Sequence, residues 1–568
     1  MANHQTELTL THLFKSSCAR FSDRTALAFT DEPPISYKEL NEQVNHLIEF
    51  LRNRGVEKGD KVAILGENSP HWAIAYFAVA TMGAVVVPIL PDFHTTEIHH
   101  ILRHSGSKVI FVSERFYYKV EELEFSDFSS IILLDNFSII NPQTSKPNLR
   151  KLIAEKSKEL YKIRNLVFNF IGLKHKAVTE DDVASIIYTS GTMGHSKGVM
   201  LTHKNLAWNA IASSKIPNIN PEDRMLSVLP MAHVYECTLG LILPIMCGAS
   251  VYYIKKPPTP AVFLPALQKV KPTAILTVPL LIEKIYKTRV LAEIQKKRIL
   301  RLIYKLPAVR KRINKTVGKK LKETFGGQIR FFGIGGSKLS AEVEKFLREA
   351  EFPYAIGYGL TETSPLIAGS DADKTKFRST GPVVEGLEVK IVNPKPDTGV
   401  GEIIVRGPSV MKGYYKDDER TSEVLSEDGW FHTGDLGNFD EDGYLFIQGR
   451  LKNVILGPSG ENIYPEAIES IINRSDEVLE SLVYDDNRQL VARVYLDYER
   501  LEAEFANLKL TETQIKQKIK ELLENLLKKV NEQVSSFSRI ARFIEQKEPF
   551  EKTATLKIKR YLYTSTGN

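Results

Sequence analysis

The segment YTSGTMGHSKGVMLTH, residues 188–203, places glycines, hydroxyl side chains and one lysine between two apolar runs. Glycine leaves the neighbouring backbone N–H groups accessible because it has no Cβ, and a lysine adds a mobile positive charge. A loop of this kind is suited to binding phosphate groups. The predicted phosphate-binding residues are Thr189, Ser190, Gly191, Thr192, Gly194 and Lys197.

A polar hairpin turn between two strands is the ordinary alternative for this loop. A hairpin turn needs only one or two such residues, whereas this loop contains about ten. The loop also differs from a Walker P-loop, in which Ser or Thr follows the GxxxxGK lysine, because Gly198 follows Lys197 here. The residues favour a phosphate-binding loop that is not of the Walker type. A polar hairpin turn stays open as the alternative interpretation.

Other polar clusters follow strand-like runs farther along the chain. Tyr358 offers a flat face for a base, Glu362 offers a hard oxygen ligand for Mg²⁺, and Asp435 is suited to accepting two ribose hydroxyls. Taken singly, each residue has an ordinary reading as a surface carboxylate or a turn residue. The clusters are FFGIGGSKLS (331–340), YGLTETSP (358–365), GWFHTGDLG (429–437), GRLKNVI (449–455) and PFEKTATLKIKR (549–560).

The six segments, in this order, resemble the motifs of the adenylate-forming superfamily, over nearly the whole chain. This superfamily includes the acyl-CoA synthetases, peptide-synthetase adenylation domains and firefly luciferase. The resemblance implies a phosphate loop, an adenine and magnesium motif, a ribose motif, a hinge and a C-terminal catalytic lysine. The sequence departs from the usual pattern at Met193, Ser196 and Leu556.

The resemblance also implies ATP, Mg²⁺ and coenzyme A as cofactors, and it assigns roles to particular residues. The implied roles are Lys557 as the catalytic lysine, Thr361 at the α-phosphate, Glu362 with Thr189 as metal ligands, Tyr358 and Gly359 at adenine, Asp435 and Arg450 at ribose, Gly335, Gly336 and Ser337 along the adenine or acyl pocket, and Lys452 at the hinge.

The segment LPMAHVYE, residues 229–236, resembles the stretch of long-chain fatty acid enzymes in which a histidine, here His233, gates the acyl tunnel. The implied function is an AMP-forming ligase that joins a long-chain fatty acid to coenzyme A through an acyl-adenylate. Three alternatives stay open: an acyl-AMP ligase that loads an acyl carrier protein, a catalytically silent lipid-binding scaffold, and an oxidising, light-emitting relative.

Short apolar runs alternate with helical patterns through the first two thirds of the chain, which predicts an α/β fold with mainly parallel, helix-covered sheets. Closely spaced strands with glycine turns predict a small β-rich unit from about 380 to 449. We expect a large N-terminal domain over 1–449, a hinge at 450–453 and a mobile, small α+β C-terminal domain over 454–568.

The chain has 568 residues, and its three cysteines are too few and too unpatterned for a disulfide framework or a zinc site. The N-terminus lacks the basic and apolar regions of a signal peptide. Residues 72–90 carry no charge, but Gly83 and Pro88 favour a buried helix and a buried strand over a membrane span. These features predict a cytoplasmic protein.

The net charge of +7 is concentrated in one segment, because residues 287–320 alone carry +12. Apolar residues interleave with these charges at near-helical spacing. This pattern predicts a basic amphipathic surface that contacts anionic membrane at the inner face, with a solvated helix face as the alternative. No nucleic-acid motif accompanies the basic segment, so we expect no nucleic-acid partner. The sequence leaves monomer and homodimer open.

Overall fold

The computed structural model describes residues 7–123, 128–140, 176–189, 196–256, 259–296, 298–456, 462–487, 489–506, 511–553 and 557–564. The strands of the N-terminal part are β1 (Thr25–Phe29), β2 (Ile35–Ser36), β3 (Lys61–Leu65), β4 (Val85–Ile89), β5 (Val109–Val112), β6 (Ser130–Leu133), β7 (Ile139–Ile140), β8 (Val183–Thr189), β9 (Lys197–Thr202), β10 (Arg224–Leu226), β11 (Ser250–Tyr253), β12 (Ala274–Thr277), β13 (Phe331–Ile334), β14 (Tyr354–Ile356), β15 (Tyr358–Gly359) and β16 (Leu366–Ala368). The later strands are β17 (Glu388–Val392), β18 (Gly401–Arg406), β19 (Gly413–Tyr414), β20 (Phe431–Phe439), β21 (Leu445–Arg450), β22 (Ile455–Leu456), β23 (Asn462–Ile463), β24 (Val478–Asp486), β25 (Gln489–Leu496) and β26 (Arg542–Gln546).

The α-helices are Leu10–Arg20, Tyr37–Asn53, Pro70–Thr81, Thr95–Ser105, His203–Ser214, Leu243–Met246, Pro260–Val270, Pro279–Ile285, Ala292–Lys296, Arg298–Ile303, Pro307–Thr324, Ala341–Glu349, Asp418–Val424, Pro465–Ile472, Tyr498–Ala506 and Glu512–Asn531. Shorter 3₁₀ turns include Thr361–Thr363 and Leu451–Asn453, and the helix that follows His233 has π-helical geometry over Glu236–Ile242.

Two large sheets build the N-terminal part. One has seven strands in the order β14-β13-β12-β10-β11-β1-β2, and the other has eight in the order β19-β9-β8-β4-β3-β5-β6-β7. Pairing is parallel in the interior of both sheets and antiparallel at β1-β2, β6-β7 and β8-β9-β19. The predicted α/β class with mainly parallel sheets is confirmed.

The apolar segment at 72–90 folds as predicted into a buried helix, Pro70–Thr81, and a buried strand, β4. Ser69 caps the helix by accepting a hydrogen bond from the Trp72 N–H, and Gly83 turns the chain with a φ of +86°. Among the residues with described coordinates, no helix has the length and apolar character that crossing a membrane requires.

A four-stranded antiparallel sheet, β17-β18-β20-β21, follows and ends at Arg450. Beyond the turn Leu451–Asn453, the three-stranded sheet β24-β25-β26 packs with the helices Pro465–Ile472 and Glu512–Asn531 around a separate hydrophobic cluster. The predicted β-rich unit and the α+β character of the C-terminal part agree with this arrangement.

Two predicted elements are shorter than expected. The apolar run 226–230 predicts a strand, but β10 ends at Leu226. Beyond it, the Asn68 amide donates to Ser227 Oγ at 2.9 Å and to the Leu229 carbonyl at 2.6 Å. The helix predicted over 512–534 ends at Asn531, whose side chain pairs with both the N–H and the carbonyl of Ile540.

Candidate functional site

A cavity of about 1520 Å³ opens at the carboxyl ends of the two parallel sheets and is bounded on one side by the C-terminal part of the chain. Strand ends are where side chains from separate segments converge in α/β proteins. Described residues from each of the six motifs line this cavity. They are Thr189, Lys197, Gly335, Gly336, Ser337, Tyr358, Gly359, Thr361, Glu362, Asp435, Arg450, Lys452 and Lys557, and they are joined by His233.

The glycine-rich loop connects β8 to β9, and Thr189 pairs directly with Lys197 across the two strands. Ser190, Gly191, Thr192 and Gly194 lie outside the described residues. The hydroxyl oxygens of Thr189 and Ser196, at the two ends of the loop, are buried and have no hydrogen-bond partner within the described part of the chain. Buried hydroxyls without partners fit a polar ligand such as a phosphate.

Lys197 forms an ion pair with Glu362, with 2.7 Å between Nζ and Oε1. Tyr414 completes a triangle, since its hydroxyl accepts from Lys197 at 2.6 Å and donates to Glu362 at 2.9 Å. Burial alone would raise the pKa of Glu362, but the Lys197 charge and the hydrogen bonds from Lys197 and Tyr414 outweigh it and hold that pKa below its usual value. Glu362 is therefore a buried carboxylate ion at neutral pH.

The position of Glu362 depends on a tight turn between β15 and β16. A Cβ at Gly359 would lie 1.9 Å from the Pro365 carbonyl oxygen, so only glycine allows the two strands to approach this closely. The Asn209 amide holds the turn from below by donating to the Thr363 and Leu366 carbonyls at 3.3 and 2.9 Å. Thr361 and Glu362 are thus fixed by backbone packing.

Asp435 lines the same cavity. Its carboxylate accepts from the Tyr358 hydroxyl at 2.8 Å and pairs with Arg450 at 2.7 Å. Burial raises the pKa of Asp435, and Arg450 and Tyr358 oppose that rise. The structure therefore brings Tyr358, Asp435 and Arg450 together, as the motif roles require, while stacking of Tyr358 on a base stays a prediction.

Lys557 reaches the cavity from the C-terminal part. Its N–H donates to Thr553 Oγ1 at 3.2 Å, and its side chain is accessible from the cavity. Desolvation by the surrounding walls lowers the pKa of Lys557, as does Arg450, whereas the carboxylates of Asp435 and Glu362 oppose the shift. Its charge therefore acts on the same space as the Glu362 and Asp435 carboxylates.

His233 lines the cavity beside these charges. Burial, and then the Lys557 charge, lower its pKa to about 4, so the ring is neutral at pH 7. The Tyr235 backbone N–H donates to His233 Nδ1 at 3.2 Å, which leaves the ring proton on Nε2. His233 is thus held as a neutral donor, and its role as a gate stays a prediction.

Gly335, Gly336 and Ser337 form the turn that follows β13, with Gly336 at a φ of +86°. A Cβ at Gly335 would lie 3.0 Å from the Tyr235 ring, so the turn lies against that ring. Lys452, in the short turn after Arg450, also faces the cavity; burial and the Arg450, Lys197 and Lys557 charges lower its pKa.

An apolar channel leaves the polar part of the cavity along one face of the seven-stranded sheet. Alternate residues of adjacent strands line it, as the period of two in a strand requires. These residues are Val278, Gly335 and Gly357 at the carboxyl edge, then Leu276, Gly333 and Ala355, and then Met225, Ala274 and Phe331. The facing wall includes Ile216, Pro217, Ile219, Leu239 and Leu243.

Two residues of the site were missed at the level of sequence. Tyr414 lies on the two-residue strand β19, which pairs with β9 and so places the hydroxyl beside Lys197. Asn209 lies inside the helix His203–Ser214. Asn209 shares a buried helix face with Asn205 and Ser213 at i, i+4 spacing, and this polar stripe was the signal available in the sequence. Nothing adjacent to Tyr414 in the sequence indicates its partner.

The Glu362 carboxylate and the Thr189 hydroxyl line the same cavity, and this hydroxyl has no hydrogen-bond partner among the described residues. Together they suit a magnesium ion that is bound mainly by phosphate oxygens. Within the described ranges no group of three or more His, Cys, Asp or Glu side chains is arranged to hold a metal ion by itself. The residues present fit a metal that arrives with a nucleotide, and Glu362 with Thr189 would hold it.

Comparison with known proteins agrees with this geometry. The profile described as AMP-binding enzyme matches residues 14–415. Long chain acyl-CoA synthetase 7 of Arabidopsis thaliana is 32% identical over 82% of this chain and 69% of the relative. A long-chain-fatty-acid–[acyl-carrier-protein] ligase, AEE15, from the same plant is 30% identical over 84% of this chain and 75% of the relative.

Fatty acyl-CoA synthetase A of Dictyostelium discoideum is 27% identical over 91% of this chain and 81% of the relative. Among solved structures, ATP-bound MatB from Rhodopseudomonas palustris superposes with a TM-score of 0.74 at 22% identity, covering 98% of both chains. MenE from Bacillus subtilis with ATP and magnesium gives a TM-score of 0.73 at 22% identity, covering 97% of this chain and 98% of that one. These structures share the fold of this chain.

Replacing Lys197 with Ala should weaken the use of ATP, because a charge-assisted contact of this kind contributes about 1.5–3 kcal/mol, or roughly 10- to 100-fold in kcat/KM. The change also leaves the Glu362 carboxylate buried without its partner and should lower Tm. ATP-dependent pyrophosphate release and thermal denaturation measure the two effects.

The double variant Lys197→Met, Glu362→Gln separates the loss of activity from the loss of stability. It should regain stability without regaining activity. Lys215→Ala, at an exposed lysine, is the control; unchanged ATP kinetics in Lys197→Ala would contradict the assignment.

Proposed function

Because the chain belongs to the AMP-binding enzyme family, we propose that it is an AMP-forming acyl-CoA ligase that activates a long-chain fatty acid. In the first half-reaction a carboxylate oxygen bonds to the α-phosphorus of ATP and the bond to pyrophosphate breaks. In the second, the thiolate of coenzyme A bonds to the acyl carbon and AMP leaves. The observation that carries the proposal is the apolar channel that opens directly onto the cavity holding Lys197, Glu362, Asp435 and Lys557.

Each polar group has a role in this scheme. The glycine-rich loop and Lys197 hold the phosphates that leave as pyrophosphate, Thr361 lies toward the α-phosphate, and Asp435 and Arg450 hold the ribose hydroxyls. A magnesium ion, when bound, would neutralise phosphate charge. Lys557 stabilises the negative charge that develops at phosphorus as the carboxylate attacks. The neutral His233 lies where the channel meets this polar region.

The relatives and the channel together support the long-chain class of substrate. Two relatives with at least 30% identity are named for long-chain acyl substrates, and the channel is lined by aliphatic side chains and glycines. An alkyl chain has no polar group to satisfy, so an apolar channel of this kind binds it through burial. One relative is named for transfer to an acyl carrier protein, which makes that acceptor the second candidate.

A substrate series decides the function. The purified protein with ATP and Mg²⁺ should release pyrophosphate with long saturated acids and much less with acetate. Coenzyme A and acyl carrier protein, supplied in parallel, separate the two acceptors, because only the true acceptor yields a thioester. Pyrophosphate release without any fatty acid dependence would contradict the proposal, and no release with any acid would favour a lipid-binding scaffold.

We also propose that the C-terminal part moves between the two half-reactions. The N-terminal domain would comprise 1–449, the hinge 450–453 and the C-terminal domain 454–568. Lys557 lies more than 100 residues beyond Asp435 and reaches the same cavity only because the C-terminal part closes over it. Coenzyme A needs that space for its thiol, so the domain carrying Lys557 must withdraw by rotation near Lys452.

Lys557→Ala should slow adenylate formation by about 10²- to 10³-fold, as for the loss of one transition-state donor. It should still convert supplied acyl-adenylate and coenzyme A into thioester. Lys452→Pro should have the opposite effect, because proline fixes φ and resists rotation at the hinge. Single-turnover measurement of each half-reaction tests both variants, with Lys528→Ala, an exposed lysine of the same domain, as the control. If Lys557→Ala slows adenylate formation and thioester formation equally, the role of this lysine is structural and not catalytic.

We further propose that the protein is cytoplasmic and that its basic segment makes a peripheral contact with anionic membrane. Three of its apolar side chains are strongly exposed: Ile299 by 76%, Leu302 by 63% and Leu306 by 56%. The same segment carries exposed basic residues close to them in the sequence, namely Arg301, Lys305, Lys311 and Arg312. Arg310, by contrast, forms a two-point ion pair with Glu349 and takes no part in this surface. Apolar side chains within a basic rim suit an anionic lipid interface.

Co-sedimentation with phosphatidylglycerol vesicles should fall as salt rises, since the screening length shrinks to about 3 Å at 1 M. The triple variant Lys305→Glu, Lys311→Glu, Arg312→Glu should lose binding. Lys518→Glu, Lys520→Glu, Lys529→Glu on the helix Glu512–Asn531 changes the net charge equally and should keep it. If both triple variants bind the vesicles equally, the basic segment is a solvated helix face and not a membrane contact.

A further inference from the structure

A loop that lines the apolar channel is tied to the amino edge of the seven-stranded sheet. The loop runs from Ile216 to Ile219 after the helix His203–Ser214, and Ile216, Pro217 and Ile219 face the channel. The deepest sheet residues, Met225, Ala274 and Phe331, lie in one row across β10, β12 and β13. Beyond this row the described lining residues end.

A polar network holds the loop in place. Arg330, which immediately precedes β13, donates to the carbonyl oxygens of Pro217 and Asn218, the second at 3.0 Å. The same guanidinium pairs with Asp223 through Nη2 and through Nε, the latter at 2.9 Å. Asp223 is 2% exposed and also accepts from the Thr273 hydroxyl at 2.6 Å. A buried carboxylate therefore orients the arginine that ties down the loop.

The depth of the channel follows from strand geometry. Val278 and Ala274 mark its two ends on one strand, and four residue rises of about 3.3 Å give about 13 Å. A long alkyl chain that follows the sheet over this distance therefore arrives at the loop 216–219 and must bend along it or displace it.

We propose that Arg330, oriented by Asp223, acts as a positioning residue that fixes the loop 216–219 as the floor of the acyl channel and so limits the length of the acyl chain. This inference rests on the proposed function, because it names the feature that selects among substrates of the same site. Arg330 does not face the channel, so it acts through the loop and not by touching the substrate.

Arg330→Gln removes the two-point pair with Asp223 and loosens the floor. We expect the ratio of kcat/KM for a sixteen-carbon acid to that for a ten-carbon acid to rise about tenfold, the range that a few methylene groups contribute in a hydrophobic pocket. Acids from eight to eighteen carbons, supplied below micelle-forming concentrations, give the full profile by pyrophosphate release. A merely structural defect would lower every value together and leave the ratio unchanged.

Two further variants keep the test decisive if Arg330→Gln folds poorly. Ile219→Ala removes side-chain volume from the loop 216–219 and leaves the ion pair between Arg330 and Asp223 in place. It should shift the kcat/KM profile toward longer acids. Gly333→Val should shift it toward shorter acids, because a Cβ there would lie 2.9 Å from Leu276 Cδ2 and from Phe331 Cε1. The matched control is Arg310→Gln, which breaks the comparable ion pair with Glu349 away from the channel and should leave the profile unchanged.

The outcomes separate this inference from the function on which it rests. If the wild-type protein releases no pyrophosphate with any acid, the proposed function fails. A second outcome is that the wild type is active while Arg330→Gln and Ile219→Ala keep the wild-type kcat/KM ratio of the two acids within about twofold. That result would contradict the role of the loop as a floor and would leave the proposed function intact. A shift in Arg310→Gln as large as that in Arg330→Gln also overturns it.

Discussion

The buried ion pair between Lys197 and Glu362 is the interaction on which the rest of the site depends. It joins the strand that leaves the glycine-rich loop to the turn between β15 and β16, and Tyr414 ties both to β19. A carboxylate as buried as Glu362 is stable as an ion only with a close cation and further hydrogen bonds; removing one partner of such a pair costs about 3–5 kcal/mol. The same pair therefore stabilises the fold locally and places a cation and an anion where phosphates and a metal would meet.

The electrostatic character of the cavity follows from how the other charges are arranged around this pair. Lys197, Arg450, Lys452 and Lys557 face two buried carboxylates, Glu362 and Asp435. The lowered pKa values of Lys452 and Lys557 record the desolvation and mutual repulsion of these cations. These four cations repel one another, so a polyanion such as a triphosphate bound among them would relieve that repulsion. The polar half of the cavity thus has an energetic reason to bind a nucleotide.

The apolar half of the cavity results from sheet geometry. Because side chains alternate along a strand, β12, β13 and β14 present one face to the channel and the other to a hydrophobic core that contains Ile275, Phe332 and Tyr354. Glycines at 333, 335 and 357 on the channel face leave room that side chains would fill. The apolar channel opens at the carboxyl edge of the sheet, where the polar residues of the cavity also lie. The carboxylate end of an acyl chain in the channel would therefore lie beside the phosphate-binding groups.

The sequence by itself determined the fold class, because apolar periodicity and glycine turns are properties of neighbouring residues. It predicted the residues of the polar site through the resemblance of six ordered motifs to those of a known superfamily, and the described residues of those motifs line one cavity. The Lys197–Glu362 and Asp435–Arg450 pairs, the Tyr414 hydroxyl between the first two and the Arg330 tie to the loop 216–219 were decided only by the tertiary structure. The residues of these contacts are 15 to 217 positions apart in the chain. Asp435 meets Arg450 because β20 and β21 pair antiparallel, and Tyr414 meets Lys197 because β19 pairs antiparallel with β9. Hydrogen bonds and ion pairs across such distances leave no periodic signal in a single sequence.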